Sequence, residues 1–277
     1  MRLGDVVRDY TAKIAALEAS LEATVGLPNP VDWAEDVSKT LLDPWQQDLM
    51  LSDEQHILLN CSRQVGKSQI VSLRNAYRAR FLPRVVATIA PTLRQASIIF
   101  NRGRSWLEAD NAEFDFEKGP EVSIIGGGRF LALPGDRPDL SIRGDTVDDL
   151  VVDEASRVKD GLIAAATPST ATRPDATITY LSTPAGKRGA FWKAWSEEDW
   201  WAKISIMANQ CSRISERFLE RERRRLGAIL FSQEYECKFI AAPGALFNAD
   251  DLDAFLLRGS NDYEDLTADI PERAAIW

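Results

Sequence analysis

The chain has 277 residues, 45% hydrophobic and 27% charged, enough apolar material for a sizeable buried core and too much for a disordered chain. Its formal net charge of −9 argues against a surface uniformly coated for nucleic acid, although arginines concentrate at 94–104 and 213–225 and carboxylates at 108–117 and 250–272. No apolar run is long enough to span a membrane, residues 1–20 lack a secretory pattern, and three scattered cysteines (Cys61, Cys211, Cys237) without CxxC spacing fit a reducing, intracellular setting.

Taken in chain order, Val6, Tyr10, Ile14, Leu17 and Leu21 recur every three or four residues, which predicts an amphipathic helix over 6–23, broken by Gly26 and Pro28. An apolar run at 56–61 predicts a buried strand, followed by a helix over 67–80, a strand over 84–90 and a helix over 92–109. The single histidine, His56, has no second histidine with which to share a metal and reads as a packing or surface residue. Residues 121–125 and 129–133 flank Gly126-Gly127-Gly128 and predict a β-hairpin. β-branched runs follow at 149–152 and 177–181, and 202–207 reads as a last strand. This alternation predicts an α/β fold with a mainly parallel central sheet flanked by helices. A polar, Arg- and Glu-rich helical region occupies 215–238, and the sequence turns loop-like and acidic from 242 onward.

The stretch Cys61-Ser62-Arg63-Gln64-Val65-Gly66-Lys67-Ser68 follows one predicted strand and opens the next helix, the context that a phosphate-binding loop requires. Successive backbone N–H groups and the positive end of the helix dipole cradle phosphate oxygens there. Lys67 is placed to reach the β- and γ-phosphates of ATP, and the Ser68 hydroxyl to ligate Mg²⁺. The usual first glycine of such a loop is replaced by Cys61. Gly186-Lys187 also follows a strand, but Arg188 stands where a metal-ligating hydroxyl is needed, so it is a decoy.

Leu150-Val151-Val152-Asp153-Glu154 is an apolar strand ending in two carboxylates. In isolation that pattern also describes a strand end meeting solvent. Paired with the phosphate loop, Asp153 is a candidate for the Mg²⁺ shell and Glu154 for polarising the water that attacks the γ-phosphate.

Together these motifs resemble the ATPase domain of the large terminase subunit, the DNA-packaging motor of tailed bacteriophages and herpesviruses. The resemblance runs over about 43–239 and rests on the Arg63-bearing loop without its first glycine, on Pro44-Trp45-Gln46-Gln47, on Ser141-Ile142-Arg143-Gly144 ahead of Asp153-Glu154, and on Leu181-Ser182-Thr183-Pro184. It implies a P-loop NTPase of the additional-strand, catalytic-glutamate, RecA-like type with a small helical lid subdomain. The nucleotide would be held by Trp45, Gln46, Ser62, Arg63, Gln64, Val65, Gly66, Lys67, Ser68, Ser182 and Thr183, with Trp45 stacking on adenine and Gln46 bonding its edge. Arg143, or alternatively Arg63, would stabilise charge on the γ-phosphate, in the former case from a neighbouring subunit. Ser182 and Thr183 would transmit hydrolysis to motion.

The same resemblance implies double-stranded DNA, a portal protein and a small terminase subunit as partners, a homo-oligomeric (pentameric) working ring with a monomer allowed in isolation, and action in the host cytoplasm at the procapsid. Arg94, Arg102, Arg104 and Arg129 are candidates for gripping the DNA backbone without reading sequence. Arg213, Arg217 and Arg221 recur at i, i+4 and i+8 beside Glu216 and Glu220 and read as a solvated, salt-bridged lid face. The expected organisation is an N-terminal helical extension (1–30), an ATPase core (31–200), a lid (201–241) and a linker (242–277) toward a nuclease domain, whose metal-binding carboxylates are not expected in this segment. Asp250, Asp251 and Asp253 read as solvated, and no DNA cleavage is expected. Two other readings stay open: a helicase-like remodeller of nucleic acid, which needs a second lobe, and a nucleotide-gated binding module, which has no use for Glu154.

Overall fold

The computed structural model describes residues 26–134 and 146–241. The expected helix over 6–23, the Ser141–Gly144 segment with Arg143, and Asp250, Asp251 and Asp253 lie outside the described residues.

Two short helices lead in, α1 (Pro30–Ser38) and α2 (Pro44–Leu51), each opening on a proline whose fixed φ suits the first turn. Strand β1 (His56–Cys61) runs into helix α3 (Lys67–Phe81), then come β2 (Val85–Ala90) and α4 (Leu93–Ala109). Strands β3 (Phe114–Glu117), β4 (Glu121–Ile124) and β5 (Arg129–Pro134) form an antiparallel meander around the Gly126–Gly128 turn. After β6 (Asp149–Asp153) come α5 (Asp160–Ala166), β7 (Thr177–Ser182), α6 (Gly189–Ser196), β8 (Ala202–Ile206) and the long α7 (Glu216–Tyr235), which is interrupted at Gly227 (φ 74°).

Among the described residues eight strands join one sheet in the order β3-β4-β5-β2-β6-β7-β1-β8, parallel from β5 to β8. Strand β7 therefore lies between the phosphate-loop strand β1 and the carboxylate-bearing strand β6, which is the additional strand of the expected fold. Strands β1, β6 and β7 are almost wholly buried because helices cover both sheet faces, and their apolar runs are accordingly continuous. Alternate side chains feed two cores. Leu59, Val86, Val151 and Leu181 pack with α1 to α4, while Leu58, Ala87, Val152 and Tyr180 pack with α5, α6 and Trp201. A small third cluster, built on Ala208, Phe231 and Tyr235, is packed by Phe218, Leu219 and Leu226 of α7.

Two expectations change. Residues 202–206, placed from sequence within the lid's range, pair with β1 along its length, so the core sheet reaches Ile206. Strand β3 arises in a stretch read only as an acidic cluster, because Phe114 packs against the core while its carboxylate neighbours stay exposed at the sheet edge. His56 makes edge-on contacts with Trp200 and Trp201 at 4.6 and 5.3 Å, and burial lowers its pKa.

Candidate functional site

The register of the sheet brings the C-terminal ends of three adjacent strands together. Asn60 pairs with Ser182, and Asp153 with Leu181, so the phosphate loop, Ser182-Thr183 and Asp153-Glu154 emerge side by side. The loop itself turns through two left-handed residues, Gln64 (φ 64°) and Gly66 (φ 95°), before α3 begins at Lys67. Glu154 is a third left-handed residue (φ 49°), and its N–H bonds Asp153 Oδ1 at 3.0 Å. Non-glycine residues in that region are strained, and Gln64 and Glu154 meeting at one cleft mark a site whose shape is imposed by its surroundings.

Lys67 is buried, with its Nζ donating to Thr183 Oγ1 at 3.2 Å and standing 4.0 Å from Glu154 Oε1. Thr183 Oγ1 in turn donates to the Cys61 carbonyl at 3.1 Å, which locks β7 to the loop. The Ser182 hydroxyl lies 3.4 Å from Glu154 Oε2 and 2.6 Å from Ser156 Oγ, and Ser156 Oγ also donates to the Thr183 carbonyl at 2.9 Å. Ser156 N–H completes this tie by donating to Ser182 Oγ at 3.3 Å.

Asp153 is buried, and burial followed by the neighbouring Glu154 charge pushes its carboxyl up to about 7, against the opposing fields of Lys67 and Arg102. A divalent cation relieves that condition. The Ser68 hydroxyl in the first turn of α3 and the Asp153 carboxylate are hard oxygen donors, so the residues present fit Mg²⁺, which commonly takes one or two protein ligands beside substrate phosphates. Burial pushes the Cys61 thiol up to about 12, so it is an inert packing group where a glycine is usual.

A cleft of about 340 Å³ opens over the loop, lined by Arg63, Lys67, Ser68 and Glu154 and by two arginines assigned otherwise from sequence, Arg102 and Arg213. Arg102, a candidate for DNA, reaches this cleft from α4. Arg213 is not on the lid helix at all, since Ser215 caps α7 by accepting from Phe218 N–H at 3.3 Å. It grips Asp43 through both terminal nitrogens (3.0 and 2.8 Å) and donates to the Val65 carbonyl at 3.3 Å. The capping serine ahead of Phe218 was the available signal that the helix starts after Arg213.

Gln46 is buried, and its side-chain oxygen accepts from Asp43 N–H at 2.9 Å. Its Nε2 stands 2.9 Å from where a Cβ on Gly66 would sit, so it packs directly on the loop. Trp45 is partly buried against the same core. Ser62 is fully buried, with its N–H bonded to the Ile206 carbonyl at 2.9 Å. Arg63 is paired with Glu234 of α7.

Of the remaining arginines, Arg94 is exposed at the start of α4. Arg104 is paired with Glu108 (3.1 Å) and Glu117 (2.9 Å), and Arg129 with Glu121. Arg217 and Arg221 lie exposed on α7, with Arg221 over the Phe218 ring. The sequence reading missed Ser156 and Glu234 and placed Arg213 on a solvated lid face; the partners of all three lie far away along the chain.

The family model for the terminase large subunit, T4likevirus-type, N-terminal, matches residues 58–254. Solved structures with the same fold include the Thermus phage P74-26 large terminase ATPase domain, at 20% identity and a TM-score of 0.66, with 77% of this chain and 100% of that one covered. The large terminase of a thermophilic bacteriophage matches at 16% identity and a TM-score of 0.63, covering 76% of this chain and 57% of that one. The bacteriophage HK97 large terminase matches at 16% identity and a TM-score of 0.54, covering 84% of this chain and 51% of that one. The chain thus spans little more than half the length of these last two proteins. A comparison with curated proteins found no match. With a P-loop, a strand-end Asp-Glu pair and an inserted β7 all in the places that the family fold requires, and with a family match across most of its length, the chain belongs to the phage large-terminase family as its N-terminal ATPase domain.

Proposed function

We propose that this domain binds ATP with Mg²⁺ in the cleft over residues 62–68 and hydrolyses it to drive double-stranded DNA into a procapsid. The observation that carries the reading is the position of Lys67, buried between Thr183 and Glu154 where β1, β7 and β6 end together. The thermophilic bacteriophage's large terminase, similar in fold, has been solved with ADP and with ATP-gamma-S.

The geometry supports the following roles. The loop amides and the N-terminus of α3 hold the phosphates, and Lys67 supplies positive charge to them. Ser68 and Asp153 would hold Mg²⁺, which would supply positive charge to offset the charge that develops on the phosphates. Glu154, aimed by the Ser182 hydroxyl, accepts a proton from the attacking water. Trp45, partly buried against the core next to Gln46, is the candidate for stacking on the base. A guanidinium completes the charge stabilisation, either Arg63 from within the chain or Arg143 from a neighbour in a ring. The wider assembly, a ring docked with portal protein and small terminase subunit on a procapsid in the host cytoplasm, belongs to the same proposal.

The test is phosphate release from the Glu154→Gln variant. Turnover is expected to fall roughly 10²- to 10⁴-fold while nucleotide binding survives. Unchanged turnover would refute the assignment of Glu154.

A further inference from the structure

At the same end of the sheet as the nucleotide cleft, the turns that follow β6 and β7 enclose a separate groove of about 730 Å³, which shares no lining residue with that cleft. One wall is the short 3₁₀ turn that ends on Arg157, with Val158 and Lys159 after it, and the other is the approach to α6, with Arg188 and Gly189. The first wall is firmly set. Arg157 N–H donates to the Glu154 carbonyl at 2.8 Å and Val158 N–H to the Ala155 carbonyl at 3.3 Å, while the Val158 side chain is buried. Asp160 ties the two walls together, its Oδ1 accepting from Ala190 N–H at 2.8 Å.

The charge on this groove is uncommitted. Arg157, Lys159 and Arg188 are exposed, and among the described residues none of their side chains has an ion pair, hydrogen bond or ring contact. The single carboxylate among the lining residues, Asp160, already serves Ala190. The arginines expected from sequence to grip DNA differ in this respect. Arg104 is held by Glu108 and Glu117, Arg129 by Glu121, and Arg102 faces the nucleotide cleft. In a chain with a net charge of −9, three free cations on one groove mark a place for a polyanion.

We infer that this groove receives the phosphate backbone of duplex DNA, with Arg157, Lys159 and Arg188 each meeting a phosphate. The inference rests on the proposed DNA-driving function and adds where on this chain the DNA is held. Exposed side chains spread over two walls supply charge without fixed, convergent donors, which suits a small anion poorly. A polyanion gains at each of them by releasing its condensed counterions. Contacts of this kind carry no sequence information, so the grip is the same on any stretch of DNA. The groove also adjoins the chemistry. Ser156 contributes to its wall, and Ser156 Oγ lies 2.6 Å from Ser182 Oγ, itself 3.4 Å from Glu154 Oε2. DNA held there lies two hydroxyls away from the carboxylate assigned to the attacking water.

The test is fluorescence anisotropy of a labelled duplex of arbitrary sequence, titrated with the protein over a range of salt concentrations. Changing Arg157, Lys159 and Arg188 together to Gln is expected to reduce the slope of log Kd against log salt by about 2 to 3, at roughly 0.9 per lost phosphate contact, and to weaken binding roughly tenfold or more. Lys159→Gln alone is expected to take about 1 from the slope. Arg157→Lys combined with Arg188→Lys keeps the charges and is expected to keep the parent slope. Changing Arg217, Arg221 and Arg224 of α7 to Gln removes the same charge from another exposed face and is expected to alter the slope by less than about 1. A parent slope in both groove variants made with Gln would overturn the inference, and an equal drop in the α7 variant would do so by reducing the effect to net charge. A parent slope accompanied by a changed sedimentation coefficient would also overturn it, assigning the groove to a neighbouring copy of the chain. In all these cases binding of duplex by the parent chain leaves the DNA reading itself standing. A parent chain that binds no duplex would sink both.

Discussion

At Glu154 the chain accepts a left-handed backbone that a carboxylate residue rarely adopts, and the Ser182 hydroxyl, itself in contact with Ser156 Oγ, stands beside its carboxylate. Ser156 does not line the cleft, yet it fixes Ser182 through both its hydroxyl and its N–H. Ser156→Ala is therefore expected to lower kcat by about fivefold, the worth of one neutral hydrogen bond, with KM for ATP unchanged and with Thr restoring much of the loss. Steady-state phosphate release distinguishes this from general destabilisation, which would alter the active fraction without rescue by Thr. Contiguous chemistry was legible at this scale. The residues that cradle phosphate must be neighbours in sequence, so 61–68 and 153–154 could be read directly. Ser156, Arg213 and Glu234 could not, because each acquires its meaning from a partner that only folding delivers: Ser182, Asp43 and Arg63 respectively.

Helices and strands are held in place by buried charge as well as by apolar packing. Arg74, fully enclosed on α3, donates to the carbonyls of Leu49 and Ser52, both at 3.1 Å, and so satisfies the C-terminal end of α2. That joins the Trp45-bearing helix to the phosphate-loop helix without any apolar signal in the sequence. At the opposite end of β6, Asp149 is buried and receives Arg78 (2.9 Å to each oxygen), Arg84 (2.9 Å) and the Thr177 hydroxyl (2.6 Å). Burial alone would raise its pKa, but the two guanidiniums and the hydroxyl overcome it and hold the carboxyl below its ordinary range. Its stabilisation is thus complete above the ordinary carboxylate pKa and disappears as pH falls through the depressed folded value. Asp149→Asn is expected to cost about 3–5 kcal/mol near neutrality and to flatten the acid side of a plot of Tm against pH. The order of helices and strands from 56 to 109 was legible because apolar runs and periodicity are local. Helices α1 and α2 were not drawn from the pattern, being short and partly polar, and β3 was hidden because an edge strand needs only one inward face.

For the molecule as a whole, catalysis turns on whether one chain suffices. Arg63 is present in the cleft but engaged by Glu234, while Arg143 lies outside the described residues. If Arg143 acts across a subunit boundary, inactive Glu154→Gln chains mixed with inactive Arg143→Ala chains are expected to regain a fraction of the parent ATPase activity. Absence of recovery at every mixing ratio would return the role to Arg63. The path of the chain from β8 through α7 bears on how work would be transmitted in the proposed motor. It leaves the sheet at Ile206 and comes back at Cys237, and the two ends are clasped together: Cys237 Sγ donates to the Ile206 carbonyl at 3.2 Å, and Asn60 Nδ2 donates to the Cys237 carbonyl at 2.9 Å. Both feet of the excursion stand at the tip of β1, beside residues 62–68. If the segment between these feet moves with the nucleotide state, a footing clasped at both ends confines it to a swivel, its output is an angle, and a small rearrangement at the loop is magnified in proportion to the length of the arm.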